Sequence, residues 1–325
     1  LKIKGISLFS GGLDSILACK VIAEQGVEVS GISFETPFFS AARARETAMQ
    51  VDLPLEVIDI TDEHLKMLHS PRWGYGKNMN PCIDCRVLMF KIAGRMMAER
   101  GADFLFTGEI VGQRPMSQGK NTLLMTAKNA GLSDMILRPL SAKILPETNP
   151  ERTGKVDRSR LFDLQGRGRK RQMEMAAAYG IVSWPPPAGG CLLTDPAFSR
   201  RLRDLFESNP HYAIRDIELL KVGRHFRINA ETRVVAGRNS SENNMIEKMY
   251  AMGDALIRAE SFPGPTVLVP GGGDEETRNL AMRLCLRYSD APRDTEASVS
   301  LLFQGQTFLM KAIAMSPDDS EALLI

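Results

Sequence analysis

A hexapeptide near the start, Ser10-Gly11-Gly12-Leu13-Asp14-Ser15, constrains this chain more than any other feature. It joins an apolar run, Lys4 to Phe9, to a stretch with helical spacing, Ser15 to Gln25. A strand that turns through two glycines into a helix aims backbone N–H groups and the positive helix end at one point, which makes an anion site. Gly11 and Gly12 permit positive φ and close approach of backbone to ligand, Ser10 and Ser15 add hydroxyls, and Leu13 completes the loop. Asp14 is out of place beside phosphate oxygens unless it binds Mg²⁺ or orients a side chain, so a metal–nucleotide complex is expected. No Lys stands where a Gly-Lys-Ser/Thr phosphate loop carries one, which disfavours γ-phosphate transfer. The competing account is a turn and helix cap, which Ser-Gly-Gly segments often supply.

The alternation of strand and helix continues beyond the hexapeptide. Val27 to Phe34, Leu55 to Ile60 and Phe104 to Thr107 read as buried strands, while Ala41 to Met49 and Cys85 to Arg100 have helical spacing. Strands separated by helices predict right-handed crossovers and a doubly wound parallel sheet, an α/β domain whose ligands bind beyond the carboxyl ends of the strands. At 325 residues the chain exceeds one ordinary core. The expected division is a nucleotide domain over 1–160, a basic helical segment and linker over 161–215, and a smaller α+β domain over 216–325. In the last, the pattern predicts a helix over Pro196 to Glu207 leading in, a hairpin of Phe226 to Ile228 with Thr232 to Ala236, and a helix over Glu242 to Ala259. A strand at Thr266 to Val269, a helix over Asp274 to Tyr288 and closing strands at Ser298 to Phe303 and Thr307 to Ile313 complete it.

The hexapeptide resembles the loop of the N-type ATP pyrophosphatases, which implies an adenine nucleotide alpha hydrolase-like fold and cleavage of ATP between its α and β phosphates. Asn80-Pro81-Cys82-Ile83-Asp84-Cys85 is similar to the Cys motif of tRNA 2-thiouridylases, with Arg86 where an Asn is usual. Thr107-Gly108-Glu109-Ile110-Val111-Gly112-Gln113, then Ser117-Gln118 and Leu137-Arg138-Pro139-Leu140, resembles a run in tRNA 4-thiouridine synthetases. By that resemblance Gly108, Gln113, Arg114 and Gln118 line the nucleotide pocket, and Lys143 is a candidate phosphate contact. The N-terminal RNA-binding modules and rhodanese-like extension of the synthetases are expected to be missing, and Leu1 in place of Met suggests a trimmed start.

Five cysteines are too few and of the wrong parity for a disulfide framework. Cys19 and Cys285 sit in helical apolar patterns and read as small core residues. Cys82 and Cys85 form a C-x-x-C pair at a helix start, where the helix dipole and Arg86 are expected to lower thiol pKa. Cys191 follows Ala188-Gly189-Gly190, a hinge that could fold it back onto the pair. Three readings stay open for Cys82, Cys85 and Cys191. They hold a 4Fe-4S cluster with one open iron, as the resemblance to cluster-dependent thiolases implies, or Cys82 or Cys191 carries a persulfide that a second thiol resolves, or they hold zinc, for which no paired His completes a fourth ligand.

Eight basic residues, Arg152, Lys155, Arg158, Arg160, Arg167, Arg169, Lys170 and Arg171, lie close together beside the Pro185-Pro186-Pro187 breaker, and Arg200, Arg201 and Arg203 continue the sign. They read either as a solvated face or as a track for RNA phosphates. Ala236-Gly237-Arg238-Asn239, Glu242-Asn243-Asn244 and Gly264-Pro265-Thr266-Val267-Leu268-Val269 resemble the RNA-binding domain of ribosome-quality-control NFACT proteins. The expected activity is therefore adenylation of a uracil carbonyl in tRNA or another RNA, followed by replacement of its oxygen with sulfur from a cysteine desulfurase or free sulfide. Asp14, Cys82 and Cys191 are the candidate catalytic residues. The rivals are an amidating ligase of the same superfamily and an RNA-binding scaffold without catalysis. With no long apolar span or secretory start, a cytoplasmic protein with no membrane partner is expected, and a homodimer is among the assemblies admitted.

Overall fold

The computed structural model describes residues 2–114, 117–181, 184 and 191–325. The chain forms two compact units, Leu1–Thr194 and Asp195–Ile325.

In the first unit β1 (Lys4–Leu8), α1 (Leu13–Ala23), β2 (Glu28–Glu35), α2 (Ala42–Gln50), β3 (Leu55–Asp59), α3 (Thr61–His69), α4 (Cys82–Glu99), β4 (Phe104–Thr107), α5 (Lys120–Asn129) and β5 (Ile136–Leu137) come in that order. The short α6 (Asn149–Arg152) and then α7 (Lys170–Ala178) follow. The five strands make one parallel sheet in the order β3-β2-β1-β4-β5, the doubly wound α/β fold the alternation predicts. Strand period two sorts the side chains between two cores. Phe104, Phe106 and Leu137 face α1, α2 and α7, packing on Leu13, Ile16, Leu17, Ala44 and Ala176. Ile6, Ile32, Leu105 and Ile136 face the other way, onto Phe90, Ala93 and Ala127 of α4 and α5. On the α1 side β1 offers only Gly5 and Ser7, and a Cβ at Gly5 would stand 3.0 Å from the Phe104 ring, so the small residue makes room for the aromatic one.

Residues 161–166, expected to stand apart from the nucleotide domain, are laced into it. Phe162 N donates to Pro139 O, Leu164 N to Leu140 O and Gly166 N to Val111 O, at 2.9, 2.8 and 2.8 Å. Leu161, Leu164 and Ala176 then bury in the α1 core. The 161–215 segment is thus divided between the two units.

The second unit begins with α8 (Pro196–Ser208) and α9 (Ile214–Leu219), followed by β6 (Arg224–Arg227), β7 (Arg233–Ala236), α10 (Ser240–Lys248), β8 (Ala255–Ala259), β9 (Val267–Val269), α11 (Glu275–Arg287), β10 (Ala297–Phe303), β11 (Gln306–Ala312) and α12 (Pro317–Ala322). Its six strands form an antiparallel sheet in the order β11-β10-β8-β9-β7-β6, giving the α+β domain expected. The helix expected over Glu242 to Ala259 is instead α10 and β8. Gly253 takes φ +97°, and the buried Asp254 carboxylate accepts from Ala251 N and Gly271 N at 2.9 Å each, which closes a turn where the helix would have run on. Beyond it Ala255 and Ile257 are wholly buried between β9 and β10, a placement that a short apolar run does not distinguish from a helix face.

Candidate active site

The candidate site residues of the first unit gather at the carboxyl ends of its strands, where a doubly wound sheet binds ligands. After β1 comes Ser10 to Ser15, after β2 Phe38, after β4 Gly108 to Arg114, and after β5 Arg138.

Gly12 is the N-cap of α1 and no side chain caps the helix, so the first-turn amides are left for a ligand. Ser15 Oγ donates to Gly12 O at 2.7 Å and Ser10 Oγ lies 3.4 Å from Ser15 Oγ, which closes the loop on itself. Gly11 has φ +72°, and a Cβ there would meet Arg43 O and Ala44 Cα at 2.8 Å. Thr47 of α2 donates to Gly11 O at 3.2 Å, holding the two segments in that contact. From the other side Gly108 lies so close that a Cβ would be 2.5 Å from the backbone of Asp14 and Ser15. Both glycines are required by neighbouring backbone.

Asp14 is the one acid in the loop. Gln113 Nε2 donates to its Oδ2 at 2.9 Å, while Oδ1 is buried with no hydrogen-bond partner among the described residues. Burial raises the Asp14 pKa, and Gln113, the charges of Arg169 and Arg114, and Gln172 pull it back. An orphaned carboxylate oxygen beside a phosphate loop fits a Mg²⁺ ligand. Arg169 and Gln172 were not foreseen in this role: Arg169 was hidden in a charge run, and nothing marks Gln172, which is buried on α7. Lys143 is turned away, donating to Ser159 O at 2.8 Å, and Gln118 is buried.

The thiols lie at the start of α4. Asp84, between Cys82 and Cys85, accepts from Arg72 N and Trp73 N at 2.8 and 3.2 Å and fixes the loop before the helix. Cys191 is brought in by bonds to the residues that follow it. Leu192 N donates to Phe38 O at 3.2 Å, Met79 N to Leu193 O at 3.2 Å, and Asn78 Nδ2 to Thr194 O at 2.7 Å. Gly189 and Gly190, the expected hinge, and Pro185 to Pro187 fall outside the described residues. The three cysteines are free, and Cys85 and Cys191 feel the charge of neighbouring thiols. Cys85 is pushed up to about 12 by burial and by Cys191, against Arg86, and Cys191 to about 11 by burial and Cys82. Desolvation therefore outweighs the helix dipole and Arg86, reversing for Cys85 the lowering expected from the sequence. The donors have the chemistry of an iron–sulfur site, but among the described residues no group of three or more His, Cys, Asp or Glu side chains is arranged to hold a metal ion. Cys19 and Cys285 are buried, as expected.

A buried ion cluster joins thiols and loop. Glu109, next to Gly108, pairs with Arg86, next to Cys85, and accepts from Arg138 Nε at 3.0 Å and from Thr107 Oγ1 at 3.1 Å. Burial lowers Arg86 and Arg138 to about 10 each, and Arg138 and Arg114 add to the effect on Arg86. Arg114 thus acts electrostatically on both Asp14 and Arg86.

The basic run is largely consumed within the fold. Arg152 pairs with Asp134, Lys155 with Asp103, Arg158 with Glu151 and Arg171 with Asp163, and Arg160 donates to Glu24 O at 3.1 Å.

Residues 2–143 match the family model described as Thiamine biosynthesis protein (ThiI), and residues 223–323 match that of the NFACT protein RNA binding domain. A probable tRNA sulfurtransferase of a Thermoanaerobacter species is 31% identical over 148 residues, which are 42% of this chain and 36% of that protein. A tRNA-specific 2-thiouridylase of Syntrophotalea carbinolica is 31% identical over 132 residues, 34% of this chain and 38% of that one. The chain thus spans between 36% and 38% of the length of these two relatives. A solved 4-thiouridine synthetase–RNA complex with bound ATP aligns with a TM-score of 0.35 at 19% identity, covering 67% of this chain and 52% of that one. No helix among the described residues is long and apolar enough to cross a membrane.

Proposed function

We propose that this chain, which joins a ThiI-type domain to an NFACT-type RNA-binding domain, is an ATP-dependent RNA sulfurtransferase acting on tRNA. The observation that carries the reading is the convergence of the Ser10 to Ser15 loop, with Asp14 held by Gln113, and the Cys82, Cys85 and Cys191 thiols on one sheet edge, linked through Glu109.

The reaction begins with ATP on the loop amides. A uracil carbonyl oxygen attacks the α-phosphate and pyrophosphate leaves. Arg114 and Arg169, whose charges reach Asp14, stabilise the charge that develops. Asp14 would hold Mg²⁺ through its free Oδ1, and the ion when bound would neutralise phosphate charge. In the second step sulfur attacks the adenylated carbon and AMP leaves. A persulfide on Cys82 or Cys191 attacks through its terminal sulfur, and a neighbouring thiol then releases the thiocarbonyl by forming a disulfide.

The finer reading gives Cys82, Cys85 and Cys191 to a 4Fe-4S cluster, whose open iron when bound would hold hydrosulfide. Three thiols without a fourth suit it, while their arrangement as it stands does not. The proposed donor is a cysteine desulfurase for the persulfide route and free sulfide for the cluster route, and a cytoplasmic location and a homodimer belong to the same reading. Tests come in two stages. ATP–pyrophosphate exchange dependent on RNA reports adenylation, and mass spectrometry of RNA nucleosides after reaction with sulfide, or with a cysteine desulfurase and cysteine, reports thiolation. Absence of both ends the proposal. Iron analysis after anaerobic reconstitution decides the sulfur carrier: full-rate thiolation by iron-free protein supplied by the desulfurase leaves the persulfide as carrier.

A further inference from the structure

The second unit has a pocket of about 260 Å³ between α10 and the 264–266 segment. Ser240, Asn243, Asn244 and Glu247 line it from one face of the helix, at the spacing that stacks side chains over successive turns. Arg258 at the end of β8 and Pro265 close it.

Two of these residues hold the pocket together. Asn243 accepts from Thr266 N at 3.0 Å and donates to Gly264 O at 3.2 Å, which spends its amide on the opposite wall. It can do so because Gly237 has no side chain: a Cβ there would lie 2.0 Å from Asn243 Oδ1. Glu247 accepts from Thr266 Oγ1 at 2.8 Å and pairs with Arg258 Nη2 at 2.8 Å. The remaining polar groups are unspent. Asn244 and Ser240 are exposed and make no side-chain hydrogen bond among the described residues, and the Arg258 side chain, 49% exposed, keeps donors beyond the one facing Glu247. The wall beside them is the buried Pro265 and the methyl of Ala259.

We propose that this pocket receives a single unpaired nucleobase of the RNA. An exposed amide and a guanidinium lining one pocket beside an apolar wall are groups that can read a base edge while its face is covered. The volume is large enough for one base. The residues that define it, Gly237, Asn243 and Gly264 to Thr266, are held for shape, and Asn244 and Arg258 read the edge. The inference rests on the reading that the chain binds RNA and names where it grips a base.

The test is fluorescence anisotropy of the full chain with a single-stranded RNA of about twelve nucleotides and with its duplex, at ~150–200 mM salt to suppress phosphate contacts. Wild type should prefer the single strand, and Asn244→Ala and Arg258→Ala should each weaken single-strand binding about tenfold. Duplex binding should be unchanged by Asn244→Ala, which removes no charge. Asn244 is exposed without an internal hydrogen bond, so its variant should melt as wild type does. If wild type binds RNA but both variants bind the single strand as tightly, the pocket assignment is overturned. If wild type binds neither RNA, the parent reading fails instead.

Discussion

Gln113 Nε2 donates to Asp14 Oδ2 across 2.9 Å, tying the turn after β4 to the loop after β1. The bond occupies one carboxylate oxygen and leaves the other buried and unpartnered among the described residues. An ionised carboxylate in that setting is costly unless a cation joins it, which is why burial raises its pKa from the ordinary 3.8.

Asp14→Asn is therefore expected to lose ATP–pyrophosphate exchange at least a hundredfold while melting no lower than wild type at pH 7. The sign follows from linkage. A raised folded pKa gives a stabilisation that is fully present below the unfolded value and lost as pH rises through the folded one. The melting difference between variant and wild type should accordingly shrink on acidification. Exchange at the wild-type rate in the Asp14→Asn protein would remove Asp14 from the mechanism.

Gly108→Ala places a methyl 2.5 Å from the Asp14 carbonyl and the Ser15 nitrogen, and backbone on both sides cannot yield cheaply. A loss of about 1–3 kcal/mol in denaturant melts is expected, with ATP affinity lost more severely than stability. Gly12→Ala is the control for stability, since its nearest protein neighbour would be Ser10 Oγ at 3.6 Å. Equal stability losses at the two glycines would contradict the packing argument.

The strand–loop–helix junction around Ser10 to Ser15 and the parallel sheet were legible because both are written in local order, a strand run, two glycines and a helical stretch. The ion cluster was not, because Arg86, Glu109 and Arg138 lie on three separate elements and no periodicity marks buried charge. The thiol pKa expectation failed for a related reason. Helix position is local, whereas the burial of Cys85 and its nearness to Cys191 depend on how 191–194 is stitched to Met79 and Phe38. In the second unit, Gly253 was the visible signal against a helix running to Ala259.

Glu109→Gln leaves Arg86 and Arg138 without their shared carboxylate, both largely withdrawn from water. Removing one member of a buried ion pair typically costs about 3–5 kcal/mol, and urea melts should find a loss of that size. Since Arg86 adjoins Cys85, sulfur transfer should fall further than the loss of folded protein explains, measured at a temperature where the variant is native. A melt unchanged within error would mean that the pairs contribute nothing net.

The basic run separates into two functions that one experiment can resolve. Arg169 acts on Asp14, while Arg167 and Lys170 are exposed and make no ion pair among the described residues. Arg169→Ala should raise the KM for ATP and leave the salt dependence of RNA binding alone. Arg167→Ala with Lys170→Ala should leave the KM for ATP alone and reduce the slope of log affinity against log salt by about 1 for each phosphate no longer neutralised. An unaltered salt slope in the double variant would return these two residues to solvated surface, whatever Arg169→Ala does to ATP.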